Sequence, residues 1–201
     1  MIKPMSGLLT FLSEGNDKKG SIGYSRVIHF PGNYNKCNTN ISGVTIGRGY
    51  DMGRRYKSEI LSDLILSGIP QDQAKEISNG AMLQGCVAAN FVKNNKSKIG
   101  EITEVQQVKL FQKTYEKYVQ HAIYFYKKYK GIESIEWNRL DPRIRDVFVD
   151  ILYQGLMNKD LVKYFEKNKK EDVINMIKKT KGIMMYEKNR GRIKYLNNVD
   201  K

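Results

Sequence analysis

Apolar positions recur along the chain with two rhythms. Leu8, Leu9, Phe11 and Leu12 stand at mixed helical spacing and give way to Ser13-Glu14-Gly15-Asn16, which predicts a first helix ending near Glu14 at the glycine. Between Gly20 and Gly53 the character changes to seven glycines with β-branched and aromatic residues, and the runs Tyr24 to Phe30 and Gly43 to Gly47 read as strands and turns. This stretch predicts a small β-rich lobe.

Beyond Arg54 the helical rhythm returns. Ile60, Leu61, Leu64 and Ile65 share one face, a short segment opens at Pro70, and a further helix is expected over Ala81 to Val92. Thr103-Glu104-Val105-Gln106 has the form of a capping box, and Val108, Phe111, Tyr115, Val119, Ala122 and Tyr126 then repeat every three or four residues until Gly131. That helix is long enough to join two lobes. Asp141-Pro142 reads as an N-cap with proline in the first turn, leading into Ile144, Val147, Phe148, Ile151 and Leu152. Segments near Asp160–Phe165 and Lys170–Lys178, and a last helix from about Met184 to Leu196, complete the expectation. The predicted class is α+β and mainly helical, with a β-rich lobe over about 13–56 and a larger helical lobe formed by 57–201 and the N-terminal helix.

Composition supports an ordinary folded chain. Of 201 residues, 40% are hydrophobic and 28% charged, which favours neither disorder nor a membrane class. The apolar runs fall short of the roughly 20 residues that cross a bilayer, and the N-terminus lacks the form of a signal peptide. Cys37 and Cys86 are too few for a disulfide scaffold and lack metal-ligand spacing, so both are expected to be inert rather than paired. A formal net charge of +14 predicts attraction to a polyanion without naming it.

Most chemistry can be set aside. His29 and His121 have no second histidine or cysteine at ligand spacing, so both are expected to be structural or surface residues and no metal or cofactor is implied. Ser25 and Ser42 show no triad signal. The glycines of 43–53 are not followed by the Gly-Lys-Ser/Thr of a phosphate loop. Glycoside hydrolysis, in contrast, needs two placed carboxyls. Glu14 at a helix end and Asp51 at the exit of a glycine-rich hairpin come from different elements that a cleft could bring face to face. Taken singly, each has a plainer reading, Glu14 as a solvated acid and Asp51 as a turn aspartate bonded to its own backbone.

The combination is more specific. Ser13-Glu14-Gly15, followed by Ser42-Gly43-Val44-Thr45-Ile46-Gly47 and Gly49-Tyr50-Asp51-Met52-Gly53, resembles the phage-type lysozymes and in particular their pesticin-like branch. In that branch the catalytic glutamate ends the first helix and a threonine precedes the catalytic aspartate by six positions, as Thr45 precedes Asp51. The better-known phage lysozymes have the aspartate first. Tyr153-Gln154-Gly155 is similar to the Tyr-Asn-Gly that ends the family's buried helix, with glutamine replacing asparagine, and Asn189 to Leu196 is similar to its arginine-rich closing helix.

The resemblance implies a two-lobed lysozyme-like fold and a muramidase that cuts the β-1,4 bond between N-acetylmuramic acid and N-acetylglucosamine. Glu14 is then the general acid, Asp51 and Thr45 hold the attacking water, and Tyr50 and Gln154 are candidate substrate contacts. It implies peptidoglycan strands as the partner, an immunity protein by analogy, a monomer, and action at the bacterial cell wall after delivery as a lysin, bacteriocin or effector. Nucleic acid is not expected as a partner, because Lys127-Lys128, Lys167 to Lys170 and Lys178-Lys179 are scattered over several segments. The alternative reading is a basic module that binds nucleic acid or an anionic surface without catalysis.

Overall fold

The computed structural model describes residues 2–198. It is mainly helical α+β: α1 (Leu8–Ser13), β1 (Thr45–Ile46), β2 (Tyr50–Asp51), α2 (Lys57–Leu66), α3 (Gln71–Ser78), α4 (Gly85–Ile99), α5 (Glu104–Tyr129), α6 (Pro142–Tyr153), α7 (Lys170–Lys179), α8 (Lys181–Met184), α9 (Glu187–Arg190) and α10 (Arg192–Leu196). Short 3-10 helices cover Tyr34–Thr39, Trp137–Arg139 and Lys159–Tyr164. Among the described residues no helix is long and apolar enough to cross a membrane.

The chain forms two compact units, one of Met1–Met5 with Glu14–Thr114, the other of Ser6–Ser13 with Tyr115–Lys201. The division falls inside α5, whereas the hydropathy pattern changes at Arg54. Burial gives the reason. In the first unit Ile28, Val44, Ile46 and Met52, from the glycine-rich stretch, share one core with Ile60 and Leu64 of α2, Ala74 and Ile77 of α3, Ala88 and Val92 of α4, and Leu110 of α5. A two-residue hairpin cannot bury its apolar face alone, so three helices and the first turns of a fourth close over it.

The β content of the first unit is smaller than expected. Only β1 and β2 form a ladder, antiparallel with Thr45 opposite Asp51 and Ile46 opposite Tyr50, supplemented by single bridges Asn16–Tyr24, His29–Thr45 and Gly43–Gln84. Residues 31–42 form a strap holding the 3-10 helix Tyr34–Thr39. A Cys37–Cys86 disulfide ties that strap to the first turn of α4, correcting the expectation of two inert thiols. Their separation of 49 residues gave no local sign of the contact. The expected start of α4 is also corrected, because Met82 has φ 59° and the helix begins at Gly85.

In the second unit the Asp141 side chain accepts from the Arg143 N–H, capping α6, whose Phe148 is wholly buried. Phe148 meets Phe165 at 4.9 Å and Trp137 at 5.3 Å in edge-to-face geometry. The buried Asp150 accepts from Thr10 Oγ1 at 2.8 Å, Arg190 Nη1 at 2.9 Å and Arg192 Nε at 2.6 Å, locking α1, α6 and the C-terminal helices together. The last helix expected from about Met184 to Leu196 is broken into α9 and α10, with α8 ending at Met184. Gly191, at φ 67°, supplies the left-handed residue between the last two.

Candidate active site

Glu14 directly follows α1 and is half-buried. The segment after it is fixed by backbone and side chains together. Asn16 N–H donates to the Gly23 carbonyl at 2.7 Å, Ser25 N–H donates to the Asn16 carbonyl at 3.1 Å, and Gly47 N–H in the hairpin turn donates to the Ser25 carbonyl at 2.7 Å. Arg48, also in that turn, donates from Nη1 to the Gly15 carbonyl and from Nη2 to Asp17 Oδ2 at 2.9 Å. Gln107 of α5, with no exposed surface, completes the joint by accepting from Ser25 Oγ at 2.7 Å and donating to Asp17 Oδ1 at 2.9 Å. The hairpin turn therefore holds the loop that carries Glu14.

Arg48 is 2% exposed, and burial pushes its guanidinium below the ordinary arginine range. The carboxylates of Asp17, Glu104 and Glu14 act against that loss and keep the charge in place. Glu14 is thus within Coulombic reach of the hairpin turn.

Thr45 and Asp51 sit opposite each other in the ladder, so their side chains share one face of the hairpin, with Cβ atoms about 5 Å apart. Asp51 is exposed and its carboxylate is oriented by two backbone donors: Gly43 N–H to Oδ2 at 3.1 Å and Gly53 N–H to Oδ1 at 2.7 Å. A Cβ at position 43 would stand 2.2 Å from Asp51 Oδ1, so the carboxylate occupies the space that glycine leaves. Gln84, at the start of α4, bridges to Gly43 and donates Nε2 to the Gly53 carbonyl at 3.0 Å, holding both donors in register. The plainer reading of Asp51, a turn aspartate bonded to its own backbone, describes the Gly53 bond, whereas the Gly43 donor comes from across the hairpin. Both bonds together leave open lone pairs, since a carboxylate offers about four acceptor positions and two are used. Thr45 is 3% exposed and its hydroxyl donates to the Gly43 carbonyl at 3.3 Å.

The two candidate substrate contacts are engaged elsewhere. Tyr50 is 2% exposed, its hydroxyl donates to Asp63 Oδ2 at 2.9 Å, and burial pushes that hydroxyl far above the ordinary tyrosine range. Arg55 covers its ring, with the guanidinium carbon 4.6 Å from the centroid. Tyr50 therefore supports the hairpin from the core side. Gln154 caps the end of α6 in the second unit, and its side-chain oxygen accepts from Arg192 Nη2.

Three residues without a local signal belong to this arrangement. Arg48 and Gln107 join the Glu14 loop to the hairpin, and His29 pairs with Thr45 from the neighbouring strand segment, His29 N–H to Thr45 O at 2.8 Å and the reverse at 2.9 Å. Among the described residues no group of three or more His, Cys, Asp or Glu side chains could hold a metal ion.

Fold and site together describe a mainly helical α+β domain whose hairpin bears an oriented carboxylate. The chain belongs to the family of a domain of unknown function, DUF8812, whose model matches residues 7–192 and so takes in Glu14, Thr45 and Asp51. Among curated proteins none matches the chain.

Proposed function

We propose that this protein is a peptidoglycan muramidase. The observation that carries the reading is the joint between Arg48 and the Gly15–Asp17 segment, because it couples the glutamate after α1 to a hairpin on which Thr45 faces Asp51. Two carboxyls and a hydroxyl, set on separate elements and coupled by a buried arginine, are the groups that acid-assisted hydrolysis of a glycosidic bond requires.

In this mechanism the carboxylic acid of Glu14 protonates the leaving glycosidic oxygen. Asp51, oriented by Gly43 and Gly53, takes one proton from water. The Thr45 hydroxyl commits its own hydrogen to the Gly43 carbonyl, so its oxygen accepts the water's second hydrogen and aims a lone pair at the anomeric carbon. Specificity for the β-1,4 bond between N-acetylmuramic acid and N-acetylglucosamine follows from the resemblance to the pesticin-like lysozymes. The net charge of +14 favours approach to the anionic wall, and the disulfide suits work in the periplasm or outside the cell after delivery.

The test is incubation of the purified protein with sacculi. Soluble fragments with new reducing ends are expected, and Glu14→Gln should lower their release by about 10² to 10⁴-fold, as for a lost general acid, with an unchanged melting temperature. Products bearing only anhydro sugars would reassign the chain as a lytic transglycosylase. Intact sacculi with salt-sensitive binding to nucleic acid would replace the enzyme by a basic binding module.

A further inference from the structure

His29, Thr45 and Asp51 form one row. His29 pairs with Thr45 through two backbone hydrogen bonds, Thr45 pairs with Asp51 in the hairpin ladder, and residues directly opposite on neighbouring antiparallel strands present their side chains to the same face. The imidazole is half-buried, and its Nδ1 lies 3.0 Å from the Val27 carbonyl. A carbonyl only accepts, so Nδ1 carries the hydrogen and Nε2 is the nitrogen that gains or loses a proton.

We propose that His29 is a positioning residue of this site, whose neutral ring leaves the tethered Asp51 carboxylate to act on the water and whose protonated ring sets a positive charge on the same face, across Thr45, that turns the base down. The proposal rests on the muramidase reading for its effect on turnover, and on the shared strand face together with the pull of the Asp51 charge on the ring for the coupling between His29 and Asp51. The only bond that changes is N–H at Nε2, with the proton taken from solvent.

The charged groups that bear on the ring come from two elements. Burial is the largest influence and favours the neutral ring, as does the Lys96 ammonium of α4, while the Val27 carbonyl and the Asp51 carboxylate of β2 favour the charged ring. The balance lies below the ordinary histidine value, so His29 is neutral near pH 7 and gains its charge only below the ordinary histidine range.

Two measurements test this. With only two histidines in the chain, the ring signals of His29 can be followed by NMR titration in the wild type and in Asp51→Asn. The His29 midpoint should move to lower pH when the carboxylate charge is removed, and an unmoved midpoint overturns the proposal. On sacculi, the acid limb of the pH profile, normalised to each protein's own maximum, should shift to lower pH in His29→Gln, which keeps a polar side chain that cannot charge. Superimposed acid limbs overturn the proposed switch. A shifted NMR midpoint with no release of fragments by the wild type at any pH would reject the muramidase reading while retaining the His29–Asp51 coupling.

Discussion

Arg48 Nη2 and Asp17 Oδ2 meet at 2.9 Å, with the arginine side chain 1% exposed and the aspartate side chain 15% exposed. An arginine so deeply placed is costly to desolvate, and the cost is offset only when carboxylate and carbonyl acceptors surround it. Here those acceptors are Asp17 and the Gly15 carbonyl, both within three residues of Glu14. A residue in the turn of a two-residue hairpin thus fixes the loop on which the proposed acid is mounted.

Replacing Arg48 by Met keeps much of the buried volume but removes both donors. Asp17 retains Gln107 Nε2 at 2.9 Å, so the loss is partial, and a destabilisation of about 2–3 kcal/mol is expected in urea unfolding. Arg48→Lys should recover little, because one ammonium cannot reproduce two donors in a planar fork. A change below about 0.5 kcal/mol for Arg48→Met, within the range of ordinary surface substitutions, would show that the joint does not hold the loop.

The disulfide yields a separate prediction. Cys37 and Cys86 close a loop of 49 residues that contains the whole hairpin, and the clamped strap leads directly into Gly43, one of the two donors to Asp51. Replacing both cysteines by serine, or reducing the bond, should lower stability by about 2–4 kcal/mol. The same treatment should lower turnover at temperatures where the protein remains folded, because the strap leading into Gly43 then loses its covalent tie to α4 and is held there by weaker contacts such as the Gly85 N–H to Ser42 carbonyl bond at 3.0 Å. Equal melting temperatures with and without dithiothreitol would contradict this account.

Much of the helical framework was legible because its signals are local. The Thr103–Gln106 capping box appears as drawn, with Thr103 N–H to Gln106 Oε1 at 2.8 Å and Gln106 N–H to Thr103 Oγ1 at 3.2 Å, and Asp141 caps α6. The end of α1 at Ser13, just before Glu14, was likewise written in the sequence. What stayed hidden depends on contacts between distant residues. The pairing of Cys37 with Cys86 and of His29 with Thr45 leaves no periodicity to read. Arg48 was visible only as one more cation between two glycines, and Tyr50 as an aromatic beside a candidate acid, although it is buried against Asp63. The glycine-rich stretch read as β-rich because its residue types suit strands. Most of it is strap, turn and isolated bridge, since its side chains fill a core built chiefly by helices.

The stereochemistry of the proposed reaction follows from the pairing of Thr45 with Asp51. If Asp51 acts as a base on a water held by Thr45, attack comes from the face of the sugar opposite the leaving group, and the first product is the α anomer. That route needs Glu14 and Asp51 carboxyls about 6.5–9.5 Å apart, whereas a covalent nucleophile brings the pair to about 5–5.5 Å. Two features of the site favour the water. The Asp51 carboxylate is tethered at both oxygens by Gly43 and Gly53, which suits a fixed base better than a group that must advance to bond with carbon. The Thr45 hydroxyl has its hydrogen committed to Gly43 and an oxygen left to accept from water. Thr45→Val, which removes that acceptor at nearly constant shape, should lower kcat with little change in KM, since the lost contact orients water and not sugar. Thr45→Glu puts a carboxylate where the water would stand and should either abolish turnover or trap a glycosyl adduct visible by mass spectrometry. Proton NMR of fresh product from the unmodified protein decides the matter directly: a β anomer at early times would replace the shared-water mechanism by a retaining one, even with muramidase activity in hand.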